Sequence, residues 1–285
     1  MAGNTFKFGK DTWDPTHRFE TSWLLTPWAL FFCRALISLY AFTTLVFVLI
    51  WNCVNGEQGC TASQNQFGYF TSLTYWGIGF YFFFAALHTF TYARHGVPLL
   101  DRFPRPLQAL HSAFYTTIIV YPLVVTIVYW ARLYSGTWFP VVFQAWSNIS
   151  QHLLNSVFAL FEIIIPRTDT PPALHMLWLI LVLALYLALA YVVEATKGFY
   201  PYDFLDPQKQ HAWVAAYVFG IAVGCIILFG FAWGCVWLRR YVTETKLARH
   251  GKFASHTLSG PRPIGDDLAS RDTEMHKVRQ AGEAA

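Results

Sequence analysis

Gln144, Asn148, Gln151, Asn155 and Glu162 recur at helical spacing inside a stretch that is otherwise apolar and long enough to cross a bilayer, with His152 beside Gln151. On a helix they form one polar stripe. Strongly polar side chains at bilayer depth are costly unless they face a bundle interior or a cavity, so the stripe predicts a site. His152 has the chemistry of a general base, and a base needs a proton donor to work on. Thr74 offers a hydroxyl about two turns into an earlier apolar stretch, and His152 lies about three turns into its own. Where the two stretches run the same way through the membrane, hydroxyl and imidazole lie in the same half of the bilayer. That is the arrangement of a threonine nucleophile activated by histidine. Asn148 and Asn155, about one turn either side of His152, would orient the ring or donate to an oxyanion. Glu162 lies too deep to complete a triad. The plainer chemistry is that a membrane-helix threonine bonds its own backbone and a lone histidine packs.

Two other groupings compete. His88, His111, Glu162 and His175 fall near the same ends of their stretches, with His95 one loop away. Histidines and carboxylates converging between helices bind zinc or iron. None of these residues stands at HxxH, HxxxH or HExxH spacing, so neither a metal nor an organic cofactor is expected. The run FGYFTSLTYWGIGFYFFFAALHTFTY places Thr74, Tyr81 and His88 on one face, and Gly77 and Gly79 allow close approach. Tyr81 therefore joins Asn148, Asn155 and Glu162 as a candidate for substrate binding. Aromatic walls beside a polar stripe suit a long apolar molecule with one polar group, a lipid.

The elements that must hold these residues follow from composition. The chain has 285 residues, of which 55% are hydrophobic and 13% charged. A soluble domain carries about twice that charge, so the chain reads as a multi-pass membrane protein. Its basic residues lie in loops and a tail rather than on one folded face, which excludes nucleic acid as a partner. The expected fold is all-α, an integral membrane bundle of six transmembrane helices near 28–51, 67–92, 108–134, 141–165, 173–195 and 212–238. Residues 1–22 form a polar arm, 23–240 the membrane domain, and 241–285 a tail disordered beyond a short helical extension. Arg34 is expected to snorkel to the headgroups, Pro122 to kink the third span, and the uniformly aliphatic fifth span to face lipid most.

Lys and Arg concentrate in the arm, the second and fourth loops and the tail, which makes both termini cytoplasmic. The first loop has neither, and its Cys53 and Cys60 face the side where a disulfide persists. The first apolar run is too long for a signal h-region and reads as an uncleaved span. With no other address, the endoplasmic reticulum or the plasma membrane is the expected home.

These residues resemble a family. Leu73-Thr74-Tyr75 is similar to the Leu-Thr-aromatic in the second span of the androgen-induced-gene family of multi-pass membrane proteins. His152 and Glu162 match a His followed ten residues later by Glu in that family's fourth span. Tyr121-Pro122 with Tyr129-Trp130, and the loop GFYPYDFLD, resemble two further family stretches. The resemblance covers 67–240 and implies a hydrolase of fatty acid esters of hydroxy fatty acids, with Thr74 as nucleophile and His152 as its partner. The runs SWLLTPW and FTSLTYWG also resemble the rolling-stone group. That likeness leaves a non-enzymatic role in lipid binding or membrane assembly as the alternative.

Overall fold

Thr26, extended in backbone after a segment of turns and bends, caps the first long helix. Its hydroxyl accepts from the Ala29 N–H at 3.2 Å, and Pro27 takes the first helical position, where a missing N–H costs nothing. The computed structural model describes residues 13–249, and among them it is helical without strands, with one isolated bridge between Ser22 and Pro166. Helix α1 (Pro27–Asn55) is followed by a short α2 (Cys60–Asn65), tied to its end by the Cys53–Cys60 disulfide. Helix α3 (Phe70–His95) stops at Gly96, whose φ of 73° is a left-handed cap open to glycine. Helix α4 (Arg105–Val128) contains Pro122 and continues as a π turn, Tyr129–Leu133. Helices α5 (Val142–Ile149) and α6 (Asn155–Ile164) form one run joined by a second π turn, Ser150–Leu154. Helix α7 (Leu174–Lys197) precedes the short α8 (Pro207–Gln210), and α9 (Trp213–Arg240) extends through a turn at Tyr241–Lys246.

Among the described residues, five helices are long and apolar enough to cross a membrane: α1, α3, α4 with its π turn, α7, and α9 with its extension. The α5–α6 run is the stretch expected as a further span. Helix α1 packs closely on α3. Ser38 donates to the Gly79 carbonyl at 2.9 Å, and a Cβ on Gly79 would stand 3.1 Å from the Phe42 ring. Tyr75, Ile78, Phe82, Ile119 and Ile163 fill the centre. Phe32, Leu36 and Leu39 on α1 and Leu177, Leu181 and Leu185 on α7 point outward at helical spacing, the surface a bilayer would cover. Helices α7 and α9 are the most outward-facing spans: α7 buries only Leu179, Ala190 and Val193, and α9 buries Cys225, Phe229, Ala232, Val236 and Arg239 while its Gly220, Gly224, Gly230 and Gly234 face open space.

Both ends of the described chain lie at one end of the bundle. Arg18 pairs with Glu244 and, at 3.1 Å, with Asp169. Ser22 donates to the Ile165 carbonyl at 2.6 Å, and the Trp23 indole to Ile164 at 2.8 Å. The Phe19 ring packs edge-on against His111 and Tyr115. Residues 13–22 are thus part of the bundle rather than a separate arm. The short helical extension beyond 240 is present to Lys246. The disorder expected further on falls chiefly on 250–285, which lie outside the described residues.

Candidate functional site

The bundle end that carries the cysteine loop holds a polar cavity of about 720 Å³. Gln144, Ser147, Asn148, Gln151 and His152 form one wall, Thr71 and Ser72 come from the start of α3, and Gln66 comes from the turn before it. The loop Tyr200–Phe204 closes it, steadied by Lys209, which reaches the Asp203 carboxylate at 2.6 Å. That hydrogen bond raises the Lys209 pKa. Arg132 stands exposed on the rim, 5.5 Å from the Tyr217 ring centre and with no carboxylate partner among the described residues.

The two π turns meet at His152. A π turn widens the helix and turns backbone carbonyls away from their usual partners, and such turns recur at functional sites. The His152 Nδ1 lies 3.1 Å from the Asn148 carbonyl. A carbonyl only accepts, so Nδ1 carries the proton and Nε2 is left basic. The His152 carbonyl accepts from the Trp130 indole at 3.0 Å, and Tyr129 stacks on the imidazole with ring centres 3.6 Å apart. Tyr129 also donates to the Asn148 side chain at 2.7 Å. The ring is held on one face by Tyr129 and at Nδ1 by the Asn148 carbonyl, with one nitrogen free for chemistry.

An apolar chamber of about 270 Å³ adjoins this cavity, between α4, α7 and α9. Thr71, Tyr129, Leu133, Tyr202 and Phe204 line both spaces. At their boundary the Tyr202 hydroxyl accepts from the Thr71 N–H at 3.3 Å and lies 3.4 Å from the Thr71 hydroxyl. Burial raises the Tyr202 phenol, which therefore stays a neutral O–H.

The sequence candidates divide into three sets. His152 and Asn148 share the polar cavity, as expected of neighbours on one stripe. Thr74 does not join them. Its hydroxyl donates to the Thr71 carbonyl at 2.9 Å, and it lines a third cavity of about 370 Å³ with Gly77, Thr117, Tyr121 and Trp178. Phe70 and Tyr186 line both that cavity and the apolar chamber. Asn155, Tyr81 and Glu162 lie in the interior and line none of these cavities. Asn155 accepts from Thr126 at 3.0 Å and from the Ser156 N–H at 2.6 Å, so it pins α6 to α4 rather than a substrate.

Glu162 and Tyr81 belong to a buried ion pair. Arg34 approaches Glu162 with two parallel bonds, Nε to Oε1 at 2.8 Å and Nη2 to Oε2 at 2.9 Å. Tyr81 donates to Oε2 at 3.2 Å, and Arg34 also donates to Thr89 and to the Phe19 carbonyl, each at 2.7 Å. Arg34 is 1% exposed and Glu162 0%, so the expected snorkelling of Arg34 is replaced by inward pairing. A bidentate carboxylate with further acceptors satisfies a guanidinium that would otherwise turn to headgroups. Of the histidines weighed as metal ligands, His88 packs edge-on against His111 at 5.0 Å and His175 bonds Thr116 at 2.7 Å. Among the described residues no three His, Cys, Asp or Glu side chains converge as a metal site.

Sequence reasoning did not single out Thr71, Ser72 or Tyr202 for the site. The loop GFYPYDFLD carried a signal, because so many aromatics in a short polar loop need something to pack on. Compared with protein-family models, curated proteins and solved structures, the chain matches none.

Proposed function

We propose that this chain is an integral-membrane esterase of six spans, hydrolysing fatty acid esters of hydroxy fatty acids or similar lipid esters. The observation that carries the reading is a polar cavity with an oriented imidazole beside an apolar chamber. Such a pair of spaces suits a substrate with a polar bond to cut and a hydrocarbon chain to shelter. The basic residues support the expected orientation: Arg18, Arg105, Arg167, Arg239, Arg240 and Arg249 lie at the terminal end, against Arg132, Lys197 and Lys209 at the other. Both termini are then cytoplasmic, the His152 cavity opens to the lumen or exterior, and the membrane is the endoplasmic reticulum or the plasma membrane.

The chemistry uses His152 as base and a threonine near the start of α3 as nucleophile. The threonine oxygen attacks the ester carbonyl while its proton passes to Nε2 of His152. The imidazolium returns that proton to the departing hydroxy acid, leaving an acyl-threonine. Water, deprotonated by the same nitrogen, then attacks the acyl carbonyl, and the imidazolium returns the proton to the threonine oxygen as the second acid leaves. Thr74 is the residue that the family resemblance points to. Thr71, one turn earlier, is the one that shares the His152 cavity. No metal or organic cofactor enters this scheme.

Fluorophosphonate labelling in membranes tests it, comparing wild type with His152→Ala, Thr74→Ala and Thr71→Ala at matched protein levels. Loss of label in His152→Ala and in one threonine variant supports the esterase and names its nucleophile. A wild-type chain that stays unlabelled where a known family hydrolase reacts overturns it. A second reading, a lipid-binding or assembly protein without catalysis, is favoured by one observation, that Thr74 and His152 line different cavities. It expects no label in any form of the chain.

A further inference from the structure

We infer that the apolar chamber between α4, α7 and α9 is the seat of a single acyl chain whose polar end stands in the His152 cavity. The inference rests on the reading of that cavity as a lipid site, though not on its being catalytic.

Three observations carry it. The chamber and the polar cavity are continuous in their lining, with Thr71, Tyr129, Leu133, Tyr202 and Phe204 common to both. Polarity changes at that boundary: beyond it the chamber is walled by aliphatic side chains, among them Val124, Val128, Ile180 and Leu187. An occupant must therefore be polar at one end and hydrocarbon at the other. The chamber also has a lipid-facing edge, since Ala184 of α7 and Phe219 of α9 both line it and are exposed. A chain can enter sideways from the bilayer without carrying its polar end through the hydrocarbon core. At the rim of the polar cavity Arg132, whose Nε donates to the Tyr217 hydroxyl at 3.4 Å, has two further guanidinium nitrogens to offer a carboxylate, which makes a fatty acid the simplest occupant.

Residues at the end away from the polar cavity then set chain length. Ala222 is the last residue of α9 to line the chamber, has a small side chain and does not line the polar cavity, so its enlargement fills the chamber alone.

The test is photo-crosslinking of the purified full chain with a medium-chain fatty acid that carries a diazirine at its methyl end. Label is expected on residues 218–222. Ala222→Trp is expected to lower it roughly tenfold, the loss of about two buried methylenes, and Ala222→Leu to lower it less. Val182→Trp, which intrudes into the Thr74 cavity instead, is expected to leave the label unchanged. Only variants that elute as the wild type does are compared, so Ala222→Leu keeps the test open if the tryptophan misfolds. Label absent from 218–222, or undiminished in both Ala222 variants, overturns the seat. Crosslinking at 218–222 by a chain that cleaves no ester sinks the esterase and leaves the seat standing. Ester cleavage without that label does the reverse.

Discussion

Replacing Glu162 with Ala leaves the Arg34 guanidinium charged and unpaired in the bundle interior, where it is 1% exposed. Two charge-assisted bonds of 2.8 and 2.9 Å disappear together, and Tyr81 loses its acceptor. Breaking a buried pair from one side costs about 3–5 kcal/mol, because the remaining charge cannot regain water. For a chain of this size that is a fall in Tm of about 6–20 °C. Arg34 keeps its bonds to Phe19 and Thr89, which places the loss toward the lower part of that range. Removing both charges at once, as Arg34→Met with Glu162→Met, is expected to recover most of the loss, since apolar replacement of a whole buried pair is often neutral or better. Tryptophan fluorescence during heating in detergent, with size-exclusion before and after, reads all forms. If Glu162→Ala stays within about 1 kcal/mol of wild type, or if the double variant loses the sum of the singles, the two groups are not coupled as described.

Two further outcomes are expected. Burial, reinforced by Asp14, pushes the Glu20 carboxyl well above its usual range, so the folded chain keeps a proton that the unfolded chain has lost. Stability should fall as pH rises from the ordinary carboxylate pKa through the raised one, and Glu20→Gln should flatten that slope in a Tm-against-pH series; a slope that survives assigns it to other groups. Gly79→Val forces a side chain onto Phe42 and should cost about 1–3 kcal/mol in chemical denaturation, whereas Gly220→Ala meets nothing within 4 Å and should cost nothing. Equal effects at the two glycines would discard the close packing of α1 on α3.

Hydrophobic runs and their punctuation were enough to place the long helices, because a bilayer-length apolar segment between Pro- and Gly-marked loops has few alternatives. They also found the polar stretch at 144–152, where periodicity and chemistry coincide. They could not divide the stripe. Asn155 and Glu162 share its face with His152, yet they serve contacts to Thr126 and to Arg34, the latter 128 residues away. Pairing over that distance leaves no trace in local spacing, and this is why Arg34 read as a snorkelling residue. The separation of Thr74 from His152 was equally hidden: depth in the membrane is legible from residue count, but rotation about the helix axis is set by packing. The π turn at Ser150–Leu154 shifts that rotation within a single run, and nothing in the sequence announces it.

The ion pair also orders events during synthesis. Arg34 must enter the bilayer with the first helix, while Thr89 follows 55 residues later and Glu162 only 128 residues later. At roughly 5–20 residues per second, the guanidinium spends roughly 3–11 s without Thr89 and roughly 6–26 s without its carboxylate. During that interval the unpaired guanidinium is expected to turn to the headgroups instead. Arrival of α6 turns it into a buried strut. The pair is thus expected to lock the first helix late in assembly, and a ribosome stalled before Glu162 should leave the first helix more extractable than in the finished chain.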